Sequence, residues 1–155
     1  VIKYNIKENL NRVRANVIRA AAGAGRDPRR VKLVTVTKTV PAEVVRESLE
    51  LGVDALGENR VQEILAKRPL LPQGIEWHLI GTLQSNKVKL IMGKVDLIHS
   101  LDRWSLAEEL NRRSAEAGLL SRVLIQVNIS GEETKSGLSR NELVDFVKSA
   151  ASLPG

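Results

Sequence analysis

Polar and ionisable side chains stand at the ends of apolar runs along this chain, and several have the chemistry of a ligand site. Lys38 directly follows the run VTVT. An amine desolvated by apolar neighbours is held in the neutral form that attacks carbonyls, although on spacing alone Lys38 reads as an ordinary solvated lysine. Glu58 and Asn59 close the next apolar run, His78 lies late in IEWHLIG, and His99-Ser100 lie late in VDLIHSL. Gln126, Asn128 and Ser130 alternate, so a strand there turns all three to one face. Each residue also has a plainer reading. Glu58 suits a surface acid paired with Arg60, Asn59 a strand terminus, and His78 and His99 satisfied core histidines. The histidines make a poor metal pair, since no carboxylate or third histidine shares their spacing. The segment GEETKSG at 131–137 reads most simply as a charged surface loop.

These groups need elements to hold them. Apolar residues at Ile2, Ile6, Leu10, Val13 and Val17 recur at three and four, which predicts a helix over 2–22 ended by Gly23 and Gly25. Five strands then alternate with helices. The strands are expected at 31–37, 53–59, 75–81, 95–101 and 123–129, the first buried on both faces. The helices are expected from Pro41 to Leu51, over 60–68, over 84–92, from a cap at Asp102 to Ala117, and from a capping box of Ser139 and Glu142. Such βα alternation is an α/β architecture with a parallel sheet. It closes either as an open doubly wound sheet or as part of a (β/α)8 TIM-type barrel, and no Gly-rich dinucleotide fingerprint follows the first strand to support the former. In both, ligands bind at the carboxyl ends of the strands, where the polar residues gather.

Composition narrows the classes further. The chain has 155 residues and no cysteine, so one domain over 1–155 is expected, with neither disulfides nor a thiolate metal site. A net charge of +6 invites nucleic acid, but 24 basic residues are scattered among 18 acids, with only two Trp, one Tyr and one Phe to stack on bases. No nucleic-acid partner is expected. The apolar runs are strand-length, so no membrane partner is expected either, and a cytoplasmic setting is the simplest.

Four segments carry a resemblance. VTVTKTVP at 34–41, LGENRVQE at 56–63, WHLIGTLQSNK at 77–87 and VLIQVNISGEETKSG at 123–137 resemble, in order and spacing, the YggS/PROSC family of pyridoxal phosphate homeostasis proteins. The resemblance implies the alanine racemase-like barrel, fold type III among pyridoxal phosphate (PLP) proteins, here as five βα units after an N-terminal helix. It implies PLP as cofactor, held as a Schiff base on Lys38, with Asn59, His78 and Asn128 as cofactor-binding neighbours and Lys135 approaching from a loop. It further implies a non-catalytic carrier or regulator, with PLP-dependent apoenzymes as partners. The alternative is a PLP-dependent amino-acid racemase, which needs a second acid/base such as a tyrosine; this sequence has only Tyr4. One motif departs from the family, with Arg60 where an aromatic residue commonly follows GEN. Family members also continue through three further strands bearing phosphate-binding segments. The expectation is therefore a chain that extends past residue 155, and a phosphate held weakly by residues 1–155 alone.

Overall fold

A computed structural model describes residues 5–132 and 134–155, so Ile2 and Tyr4 of the expected first helix lie outside the described residues. That helix, α1 (Ile6–Gly23), is capped by Asn5, whose side chain accepts from the Glu8 amide. Five strands follow: β1 (Thr35–Val36), β2 (Ala55–Glu58), β3 (Glu76–Leu79), β4 (Leu97–Leu101) and β5 (Val123–Ile125). Between and after them run α2 (Ala42–Glu50), α3 (Val61–Lys67), α4 (Val88–Ile91), α5 (Trp104–Ala117) and α6 (Leu143–Ala151).

The sheet is parallel throughout, with strands in the order β1-β2-β3-β4-β5. That order lacks the reversal defining a doubly wound sheet. Its helix-side face carries Leu56, Trp77, Leu79 and Ile98, all buried against Val45, Val61, Ile64, Val88, Ile91, Leu106 and Leu110. Burial of each such Leu or Ile stabilises the fold by about 1.5–3 kcal/mol. On the opposite face Val34, Gly57 and Ile80 meet: a methyl group at Gly57 would lie 3.2 Å from Val34 Cγ1 and 3.3 Å from Ile80 Cγ2.

Several boundaries differ from the sequence reading. The first strand is two residues long and is not buried on both faces, for Val36 is 49% exposed. Among the described residues β1 pairs with β2 alone. Leu124 of β5 is likewise exposed, at 47%. The helix expected over 84–92 splits into a 3-10 turn at Ser85–Lys87 and the single turn of α4. Asp102 does not cap α5; its carboxylate is taken by Arg103, 2.6 Å away. Ser139 and Glu142 do make their side-chain contact, at 2.5 Å, but α6 begins only at Leu143. Among the described residues no helix is long and apolar enough to cross a membrane.

Candidate functional site

Lys38 stands two residues past β1, in a turn, and its side chain is exposed. Among the described residues the apolar strand does not desolvate it as expected, since β1 ends at Val36 and Lys38 lies in the turn beyond it. The turn itself is held firmly from the helix side. Thr37 Oγ1 donates to Glu58 Oε1 at 2.7 Å, and Lys67 Nζ donates to the Thr37 carbonyl at 2.7 Å and to Glu58 Oε1 at 2.6 Å. Glu63 Oε2 lies 3.3 Å from Lys67 Nζ and accepts from the Thr39 amide at 2.9 Å. Thr39 has φ 63°, a left-handed conformation that costs a β-branched residue about 1–2 kcal/mol and needs support from its surroundings.

Glu58 is thus not a surface acid paired with Arg60. It is fully buried, while Arg60 is exposed at the start of α3. The sequence reading also passed over Lys67, whose signal was its spacing: Val61, Ile64 and Lys67 form the buried stripe of α3. Burial pushes the Glu58 carboxyl above the usual carboxylate range, outweighing its bonds from Lys67 and Thr37. Its second oxygen, Oε2, finds no partner among the described residues. Burial also pushes Glu63 up, but the Thr39 amide, Glu58 and Lys67 together hold it below its ordinary value.

Asn59 is half-buried at the end of β2, beside the Lys38 turn because β1 and β2 pair. There the chain passes so close to the end of β3 that a methyl group at Gly81 would collide with the Asn59 carbonyl. Ser100, buried in β4, donates to the Gly81 carbonyl at 2.8 Å, and Arg103 donates to that of Leu83 at 2.7 Å. The rim formed by β2, β3 and β4 is therefore pinned at successive points.

His78 faces away from the helices, and both of its ring nitrogens are engaged. Nδ1 lies 2.8 Å from His99 Nε2, and Nε2 lies 2.9 Å from Glu76 Oε1. Glu76 also pairs with Lys32, which extends the chain to four side chains. The two histidines are accordingly each other's partners. Burial, and then the charge of His78, hold His99 below the ordinary imidazole value. The bonds from Lys32 and His78 hold Glu76 below the usual carboxylate range.

Asn128 lies beyond β5, on the opposite edge of the sheet from Lys38. Its Nδ2 donates to the carbonyls of Glu132 and Lys135, at 2.8 and 3.1 Å. Its Oδ1 accepts from Ser130 Oγ and the Gly131 amide, at 3.2 and 3.0 Å. The loop after β5 is thus organised around one amide, with Gln126 Nε2 donating to Ser136 O at 3.0 Å. β5 ends at Ile125, short of the expected 129, so Gln126, Asn128 and Ser130 lie past the strand, and they line a groove of about 480 Å³ together with the intervening Val127 and Ile129 and with Thr82 and Lys135. Lys135 pairs with Glu132 in that loop. A larger hollow, about 610 Å³, opens at the amino-terminal end of β3, and the Lys94 ammonium there donates to the Leu90 carbonyl. Arg68 and Gln73 also line that hollow, which lies at the opposite end of β3 from the carboxyl rim. Lys38 and Asn59 follow the ends of the neighbouring strands β1 and β2, His78 lies within β3, and Asn128 stands apart beyond β5.

A five-stranded parallel βα sheet is an α/β fold, and in such sheets ligands bind outside the carboxyl ends of the strands. Residues 8–155 match the model of the alanine racemase N-terminal domain, and the chain belongs to that family. It is 46% identical over 151 residues to the pyridoxal phosphate homeostasis protein of Aquifex aeolicus, covering 97% of this chain and 66% of that protein. It superimposes on PipY of Synechococcus elongatus, solved with PLP bound, with a TM-score of 0.75 and 36% identity, over 88% of this chain and 64% of that one. A protein of unknown function from Bifidobacterium adolescentis gives a TM-score of 0.89 at 34% identity, over 97% of this chain and 65% of that one. The chain spans about 66% of the length of its Aquifex relative. The resemblance drawn from the four motifs is borne out by these relatives.

Proposed function

We propose that this chain binds pyridoxal 5′-phosphate at the carboxyl rim of its sheet, with Lys38 holding the cofactor as a Schiff base. The observation that carries the reading is the placement of Lys38. It is an exposed primary amine at the end of the first strand, in a turn whose two flanking residues are both anchored. The donor chemistry of the rim fits the cofactor. Lys38 offers the amine for an aldehyde, Asn59 offers an amide beside it, and the close approach of Gly81 to Asn59 fixes that amide's backbone. The cofactor's aldehyde supplies the electrophile; the protein presents the amine and orients it. His78, bound on both sides, serves as a rigid floor, and Asn128 shapes the loop that walls the groove across the sheet.

The sheet order supports an arc of a (β/α)8 barrel, with the whole domain carrying the cofactor in the service of its homeostasis rather than turning over a substrate. PLP-dependent apoenzymes are the recipients this reading implies, and the cytoplasm is where they would meet it. Borohydride reduction after incubation with PLP, followed by peptide mass spectrometry, tests the site. The pyridoxyl mass is expected on the peptide containing Lys38, and Lys38→Ala should remove it with the melting temperature unchanged. A label mainly on another lysine would refute the assignment.

A further inference from the structure

The helix side of the sheet carries a buried charge cluster that the proposed chemistry does not itself use. Its geometry converges on one place. The three protons of the Lys67 ammonium meet three acceptors: the Thr37 carbonyl at 2.7 Å, Glu58 Oε1 at 2.6 Å and Glu63 Oε2 at 3.3 Å. Glu58 then takes the Thr37 hydroxyl, and Glu63 takes the Thr39 amide. Every branch of the network thus ends on a residue adjoining Lys38. A buried ion pair of this kind adds little net stability over a packed apolar pair, so stability alone is a weak reason for it.

We infer that Lys67, Glu58 and Glu63 are positioning residues that lock the turn bearing Lys38 and so fix where its amine stands. They act through the backbone on either side of Lys38, and above all through the bond from the Thr39 amide to Glu63, which holds Thr39 at positive φ. Without that acceptor the turn loses support for its left-handed residue, and the amine samples directions in which it cannot meet an aldehyde. The inference rests on Lys38 being the cofactor lysine, but the lock itself exists without cofactor and is measurable without it.

Glu63 is the residue to change, because its side chain is 23% exposed and Lys67 keeps its 2.6 Å bond to Glu58 when Glu63 is removed. In Glu63→Ala without cofactor, hydrogen exchange of the Thr39 amide should speed up relative to the wild type, with the melting temperature little changed. With PLP, the rate of reducible labelling at Lys38 should fall by roughly 10-fold to 100-fold, the usual cost of misplacing a reacting group. Glu63→Gln keeps an acceptor for the Thr39 amide and should restore most of both readouts, separating the bond from the charge. Unchanged exchange at Thr39 in Glu63→Ala would refute the lock. Faster exchange with undiminished labelling at Lys38 would refute the positioning role. Absence of Lys38 labelling in the wild type would overturn the cofactor assignment and this inference with it, whereas exchange at Thr39 would still report on the lock.

Discussion

Two polar networks run on opposite faces of one parallel sheet, and they are built from similar residues to opposite effect. On the helix side, Thr37 and Glu58 meet Lys67 and Glu63 of α3, with the Lys67 and Glu58 side chains 10% and 0% exposed. On the other face, the chain Lys32–Glu76–His78–His99 begins at a lysine that is 51% exposed and passes inward to a buried histidine. The first keeps its Lys67–Glu58 pair away from water, with Glu63 alone partly open at 23%, so the buried pair has only its neighbours in the network. The second opens to solvent at one end, so its charges can be screened and its protons exchanged. What separates a fixed scaffold from an adjustable one is therefore burial, not residue type.

The contrast is broken most severely at Lys67. Lys67→Met removes the ammonium and leaves Glu58 buried without its counter-ion, which should destabilise the chain by about 3–5 kcal/mol in urea unfolding. Replacing Glu58 and Lys67 together by Met should cost distinctly less than the single change. A double variant as unstable as the single one would show that the penalty comes from lost packing rather than an orphaned charge.

A smaller effect is expected from pH on the open network. The folded state holds His99 below its unfolded value of about 6.5. As pH falls through that value, the unfolded chain takes up a proton that the folded one resists. The contribution of His99 is therefore intact above pH 6.5 and is progressively lost on acidification towards the folded value. Urea midpoints should drop between about pH 7.5 and pH 5.5, and His99→Asn should flatten that drop. An equal slope in the variant would assign the proton uptake elsewhere.

The smallest change is at the solvent end. Lys32→Ala should cost less than about 1 kcal/mol, because its ion pair with Glu76 is half-exposed and screened. A loss comparable to that of Lys67→Met would erase the distinction between the two faces.

The succession of strands and helices was legible because each apolar run is separated from the next by a glycine, a proline or a polar turn. What could not be read was which charged residues lie inside. Glu58 adjoins Arg60 two residues away, and local sequence favours that pair; the partner it finds, Lys67, is decided by how α3 packs on β2. Strand lengths failed for a related reason. Val31 to Thr37 has the composition of a buried strand, but only Thr35–Val36 pairs with β2, and strand pairing is not a property of local composition. At the site, the location of Lys38 and Asn59 just past β1 and β2 followed from their standing at the ends of apolar runs. The internal use of the Asn128 amide did not, because it depends on how the loop after β5 folds back.

The strict order of the strands also bears on how the chain reaches its fold. Each strand pairs with the next in sequence, and partners such as Thr35 and Leu56, or Leu56 and Trp77, are only about twenty residues apart. Loop closure is cheap over such spans, and none of the five described strands lies between two that pair with each other earlier in the chain. During synthesis from the amino terminus, every new βα unit meets an edge that the preceding unit has already formed. The buried lock at Lys38 belongs to the first of these steps. Thr37, Glu58, Glu63 and Lys67 are all present once α3 has been made, so the turn can be set before β3 arrives.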